Sequence, residues 1–361
     1  MADKTAERAP LDLLRDLVAL PGPPGQEHAV TAYLTERLRS LGFATRTDAK
    51  GNLLAAPSLT LPEKPDVVVT AHMDEIALIA TSVESDGTLR VAPLGGAHPW
   101  KWGEGPVEIL GRDEQIVPGV LAFGSIHTTS PYSVAEQART SALTWPQARV
   151  HTATAPVVLA AMGIRPGSRI VLARARRTLW PFGTDMIASY FLDDRADLVA
   201  WLLTLAALRD ETGFENVLFA ATAAEEVGGE GVAYLLHDIH PTVCVALEIG
   251  PRTPDAPFAV DSTPTVWVSD TYAAMDPRDL DLLDDASREL RMHLHWQAVT
   301  RGGSDATSAA SRGLCARPVT LAFAAENSHG FEIMHRDAPE NLSRLLLAYL
   351  RRLRETGISP P

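Results

Sequence analysis

Cysteine is nearly missing from this chain: its 361 residues include two, Cys244 and Cys315, both in apolar surroundings. Two such residues make a disulfide framework improbable and read as buried free thiols in a reducing compartment. Long apolar runs are missing as well, none approaching the ~18 residues that span a bilayer. The first twenty residues scatter Asp3, Lys4, Glu7, Arg8, Asp12, Arg15 and Asp16 among apolar positions, so no secretory signal is expected. The expected location is cytoplasmic. Excess positive charge is also lacking. A formal net charge of −13 argues against nucleic acid and anionic membranes as partners. There is no internal repeat and no low-complexity segment. What is present, 46% hydrophobic and 21% charged residues, is ordinary globular composition. The length exceeds what one hydrophobic core usually serves, so two domains are expected.

Helix and strand patterns alternate through the first third. Leu13, Leu14, Leu17, Val18 and Leu20 recur at helical spacing until Pro21-Gly22-Pro23-Pro24-Gly25 breaks the chain. Val30, Tyr33, Leu34, Leu38 and Leu41 mark a second helix, closed by Gly42. Asp66-Val67-Val68-Val69-Thr70 has the pattern of a strand buried on both faces. Between residues 78 and 177 the texture changes to short β-like runs (Ile76 to Ala80, Val107 to Leu110, Val117 to Phe123, Ile170 to Ala173) separated by Gly, Pro and charged turns. They predict a β-rich domain, 78–177, inserted into a larger domain of 1–77 and 178–361. Further helices are expected near Arg195 to Leu208, Asp279 to Met292 and Pro339 to Arg354. The fold class is α/β.

The informative feature is where metal-type residues fall. Val67-Val68-Val69-Thr70-Ala71 ends in His72-Met73-Asp74, and Ile187 to Leu192 ends in Asp193-Asp194. Val217 to Thr222 leads into Glu225-Glu226, Val243 to Leu247 ends in Glu248, and Val319 to Phe323 leads into His329. In open α/β sheets the ligand crevice lies at the carboxyl ends of the strands. Carboxylates gathered there would repel one another, and a pair of divalent cations is the simplest neutraliser. Mixed imidazole and carboxylate ligation suits Zn²⁺, Co²⁺ or Mn²⁺ better than Ca²⁺ or Mg²⁺.

These residues also stand in a known order. His72-Met73-Asp74-Glu75, Asp193-Asp194-Arg195, Glu225-Glu226-Val227-Gly228, Gly302-Gly303-Ser304-Asp305-Ala306 and Asn327-Ser328-His329-Gly330 resemble the glutamyl and deblocking aminopeptidases, the self-compartmentalising tetrahedral enzymes. Pro24-Gly25-Gln26-Glu27, Gly51-Asn52-Leu53, Leu94-Gly95-Gly96 and Gly163-Ile164-Arg165-Pro166-Gly167 extend the likeness over nearly the whole chain. The resemblance implies a mixed-sheet metallopeptidase domain with helices on both faces, carrying the inserted domain as an assembly module. It implies two metal ions, Zn²⁺ or Co²⁺ with Mn²⁺ as an alternative. His72 and Glu248 would hold one, Glu226 and His329 the other, and Asp193 would bridge. Asp74 would fix the far nitrogen of His72, and Glu225 would be the general base on a metal-bridging water. The Asp193-Asp194 peptide is often cis in similar enzymes. The implied activity is removal of the N-terminal residue from short peptides, by dimers assembled into a dodecamer.

Two departures stand out. The family usually has Asp where this chain has Glu248, and an Arg-Tyr-x-His-Ser stretch where it has Ala324-Ala325-Glu326-Asn327-Ser328-His329. The same core could serve a deacylase or carboxypeptidase, and a metal-free binding homologue would keep the fold without the chemistry. His98 and His127 read as structural or interface residues. The tryptophans at 100, 102, 145 and 180 read as core or interface, and Asp305 as lining the cleft.

Overall fold

The computed structural model describes residues 9–58 and 60–358. Four parallel strands form its centre, in the order Val217–Thr222, Val67–His72, Val243–Pro251 and Arg317–Glu326. Successive side chains of a strand point to opposite faces, and here both faces are covered. Val67, Val69, Phe219, Val245 and Leu321 join one core with the helices Pro10–Ala19, His28–Ser40, Leu192–Leu208, Pro277–Leu290 and Ala338–Thr356. Val68, Leu218, Ala220, Cys244 and Ala246 join a second core with the helices Glu230–Leu236 and Asp305–Ser311. Burial on both sides is why these runs are continuously apolar rather than alternating. Further strands, all but one of them paired antiparallel, complete an eleven-stranded mixed sheet. Among them Glu332–His335 pairs with Arg317–Glu326 and then with Met186–Ser189.

Six strands between Ala77 and Leu172 close a barrel. Leu78, Leu89, Val107, Ile109, Val150 and Ile170 fill it, and closure leaves no exposed strand edge. Two of its strands, Leu89–Leu94 and Arg149–His151, go beyond the expected runs: Arg90, Pro93, Arg149 and His151 interrupt their apolar pattern. Trp102 and Trp145 meet edge to face inside the barrel with centroids 6.0 Å apart, whereas Trp100 and Trp180 are exposed.

Two expected strand ends differ from the structure. The run from Ile187 stops being a strand at Ser189; Phe191 takes φ +62° and the helix Leu192–Leu208 begins at once. The Glu248 strand continues to Pro251, because its pairing with Arg317–Glu326 extends to Ala325. Glu248 therefore projects from within a strand.

The chain passes twice between sheet and barrel, and one buried carboxylate ties both passages. Glu75, just after the His72 strand, accepts from Arg177 Nη1 at 3.1 Å and Arg195 Nη2 at 2.8 Å. Arg177 follows the last barrel strand and also donates to the Leu20 and Leu172 carbonyls, while Arg195 lies in the long helix. All three side chains are buried. Glu75→Gln keeps the shape but leaves two buried guanidinium groups without their counter-charge. The expected loss is about 3–5 kcal/mol, the usual result of breaking a buried pair from one side, read from urea unfolding. A loss below about 1 kcal/mol would show that this cluster does not hold the two parts together.

Candidate metal centre

The ligand-type side chains come from strand ends and turns that the sheet places side by side. Thr222 stands opposite His72 in the parallel ladder, so the turn after Thr222 delivers Glu225 and Glu226 beside the histidine. Nε2 of His72 lies 3.1 Å from Asp193 Oδ1. On the other side, Nε2 of His329 lies 3.5 Å from Asp193 Oδ2 and 3.7 Å from Glu226 Oε1. Two groups result, each with ligand atoms within 4.8 Å of one another: His72, Asp193, Asp194 and Glu248, and Asp193, Glu226 and His329. Asp193 belongs to both. The peptide that follows it is cis. The donor set, two imidazoles among buried carboxylates with one carboxylate shared, suits a pair of divalent transition-metal ions.

Both histidines present the same ring atom to the centre. A carbonyl can only accept, so His72 Nδ1, 3.1 Å from the Asp74 carbonyl, carries a hydrogen in either charge state, and Nε2 is the atom that can ligate once it gives up its own proton. His329 Nδ1 donates likewise to the Gly96 carbonyl at 3.2 Å. Gly96 ends the barrel's Leu89–Leu94 hairpin, and a Cβ there would lie 2.4 Å from His329 Nδ1. One at Gly95 would lie 3.2 Å from Glu226. The barrel thus presses glycine backbone against two members of the second group, Glu226 and His329.

A second tier of buried carboxylates grips the backbone of the first. Asp194 Oδ2 accepts from the amide of His72 at 2.7 Å. Asp74 accepts from Glu225 N at 2.8 Å and Glu226 N at 3.0 Å. Its carboxylate is 3.5 Å from His72 Nδ1, so its firm contact with that ring is through its carbonyl. Glu332 accepts from Asp193 N at 3.0 Å and His329 N at 2.8 Å. These grips hold turns in left-handed backbone, Phe191, Ala224, Asn327 and His329 all having φ between 54° and 64°, a conformation that costs non-glycine residues energy.

Crowding raises proton affinity. Burial pushes Glu226 up to about 7 even against the cation of His329, and raises Glu225 and Glu248 well above the usual carboxylate range. Burial likewise takes Glu332 to about 8. Asp193 is the exception: hydrogen bonds from His329 and His72 outweigh its burial and hold it below its ordinary value. Carboxylates crowded and buried in this way are stabilised by nearby positive charge, which divalent cations would supply.

A cleft of about 460 Å³ opens over the centre, lined by His72, Asp193, Glu225, Glu226, Glu248 and His329 together with Lys101, Trp267, Tyr272, Val299 and Arg301. His98, two residues after Gly96 in the barrel segment, lines it too. Asp305 stands behind the cleft instead, heading the helix Asp305–Ser311 and accepting from Thr222 Oγ1 at 2.6 Å. Glu332 is the residue the sequence did not disclose. Its only trace was a carboxylate three places after His329 in an apolar neighbourhood.

Known proteins share this arrangement. The glutamyl aminopeptidase of Lactococcus lactis subsp. cremoris is 26% identical over 243 residues, 67% of each chain. The lysyl aminopeptidase of Pyrococcus furiosus is 24% identical over 241 residues, 66% of each chain. Both alignments therefore span about two thirds of the relative's length. The solved TET1 peptidase of Pyrococcus horikoshii superposes with a TM-score of 0.79 at 21% identity, covering 94% of this chain and 98% of that one, and so shares the fold. The model of the M42 glutamyl aminopeptidases matches residues 51–345, a span that holds every ligand-type residue of the centre and the barrel between them, and the chain accordingly belongs to this family of metal-dependent peptide hydrolases.

Proposed function

We propose that the chain is a two-metal aminopeptidase that removes the N-terminal residue from short peptides. The observation that carries this reading is the sharing of Asp193 by two ligand groups beside Glu225. In the proposed assignment His72 and Glu248 hold one ion, Glu226 and His329 the other, and Asp193 both. Zn²⁺ or Co²⁺ fits the donor set best, with Mn²⁺ as an alternative. Bound divalent ions supply Lewis acidity, polarising a carbonyl and acidifying water. Glu225 takes the water's proton and passes it to the departing nitrogen, its main chain fixed by Asp74. Asp74 is thus a positioning residue for base and ligand together. A free terminal amine would be held at the ions, so peptides with a free amine are accepted and N-acetylated peptides refused.

Assembly is part of the proposal. Trp100 (65% exposed) and Ile126 (75%), both in the barrel segment, and Trp180 (64%), on a short strand of the sheet, are large apolar side chains open to solvent, the kind of surface that assembly would cover. The Pyrococcus horikoshii peptidase assembles into a tetrahedron or a large octahedral shell. We place this chain in a homo-oligomer of the same kind, dimers built into a dodecamer. No helix among the described residues is long and apolar enough to cross a membrane, and both cysteines are free and buried, which supports a cytoplasmic location.

Adjacent substitutions separate base from ligand. Glu225→Gln should fold, retain metal and lose turnover by about 10²–10⁴-fold, the range for a positioned general base, with little change in KM. Glu226→Gln should instead lower metal content, and excess metal should restore part of its activity. Elemental analysis beside steady-state kinetics decides; the opposite pattern would reverse the two roles.

Gly96→Ala tests the barrel's part in the centre. The added methyl meets His329 Nδ1, so metal affinity should fall about 10–100-fold, the usual effect of disturbing a ligand's support. Titration with a competing chelator measures this, with circular dichroism as the folding control. An unchanged affinity would mean that the Gly96 carbonyl does not hold the ring.

A further inference from the structure

Names of relatives do not settle which N-terminal residue this chain prefers, because two similarly distant relatives are named for glutamyl and lysyl residues of opposite charge. The wall of the cleft is more informative. Ala322 pairs with Glu248 across the parallel ladder, and Thr265 pairs with Ala322 across the next. Paired residues share a sheet face, and so does the residue two places on. Trp267 therefore projects from the same face as Glu248. Val299 follows the strand His295–Ala298 that pairs alongside, and its amide donates to the Ser269 carbonyl at 2.8 Å. Trp267, Val299 and Ala322 pack as one apolar cluster.

The cleft lining is consequently mixed, with an apolar patch beside the carboxylates. Trp267 (5% exposed) and Val299 (9%) line it on the sheet face that carries Glu248. The indole Nε1 of Trp267 is buried without an acceptor among the described residues, so this wall offers a neutral donor and no charge. Of the cleft's basic side chains, Arg301 is exposed, and Lys101 Nζ is bound to Asn327 Oδ1. The lining holds no carboxylate outside the candidate ligands and Glu225.

We propose that the recess of Trp267 and Val299 receives the first side chain of the peptide and selects uncharged apolar residues such as leucine, methionine and phenylalanine. This rests on the aminopeptidase reading and names its substrate class. A glutamate or lysine side chain entering the recess would lose its hydration and find no counter-charge, a heavy cost for an ion. An apolar side chain of fitting size gains with each buried methylene. Even one methylene in such a pocket shifts kcat/KM by about tenfold or more.

The experiment supplies the metal-loaded full-length chain with the p-nitroanilides of leucine, methionine, phenylalanine, alanine, glutamate and lysine. In parallel, free leucine and free glutamate are titrated into it by calorimetry as product-like ligands. The expected kcat/KM for leucine, methionine and phenylalanine exceeds that for glutamate and lysine more than tenfold, and leucine binds more tightly than glutamate. Val299→Phe, which fills the recess, should lower the leucine-to-alanine ratio of kcat/KM about tenfold. Trp267→Leu, which enlarges it, should raise the phenylalanine-to-leucine ratio. Hydrolysis that prefers glutamate or lysine, or ratios that neither variant moves, would overturn the recess and leave the aminopeptidase reading intact. No hydrolysis of any anilide, with leucine still bound over glutamate, would overturn the reading and leave the recess. Neither hydrolysis nor binding would overturn both.

Discussion

Asp193 stands between two imidazoles, 3.1 Å from His72 and 3.5 Å from His329, with Glu226 and Glu248 on its flanks in a buried cleft. Like charges at such spacing repel, and burial deepens the cost because little water is left to screen them. The arrangement persists only if something fixes each carboxylate where it is least favoured. The geometry around the centre answers that requirement, and much of the rest of the molecule follows from it. The parallel strands bring the residues to one side of the sheet. The barrel lays Gly95 and Gly96 against Glu226 and His329, and Glu75 anchors the chain where it leaves the sheet and where it returns.

The fixing is done largely through the main chain. Asp194, Asp74 and Glu332 each accept amide hydrogens from residues that bear a ligand or the proposed base. Glu27 extends the pattern, accepting from Ala224 just before Glu225 at 3.1 Å. A carboxylate satisfied by amide hydrogens is costly to move. The left-handed residues in these turns are held by the same bonds. Precision is thus concentrated where an error of an ångström would cost most activity.

Much of this was legible in the sequence, for a definite reason. Strands buried on both faces read as unbroken apolar runs, so the polar residues that end them stand out; His72, Glu225, Glu226 and His329 were found that way, and the structure gathers them. The barrel was legible as a loss of helical periodicity between residues 78 and 177, although the short strands at Leu89 and Arg149 were not. What escaped was whatever depends on contacts distant in the chain. Glu332 bonds main-chain amides, which leaves no pattern of residue types. Asp74 was expected beside the far nitrogen of His72, and its carboxylate lies 3.5 Å from it, but its grip on the Glu225 turn, 151 residues away, was not foreseen. His98 lines the cleft from within the barrel segment. That Trp267 and Val299 share a face with Glu248 could not be read before the pairing partners of their strands were known.

The central claim is that two ligand groups meet at one shared carboxylate. Diffraction from crystals grown with zinc, collected on both sides of its absorption edge, tests this most directly. The account predicts two anomalous peaks about 3.5–4 Å apart, one against His72 and Glu248, the other against Glu226 and His329, with Asp193 touching both. A single peak, or a pair of which Asp193 touches one only, would contradict it.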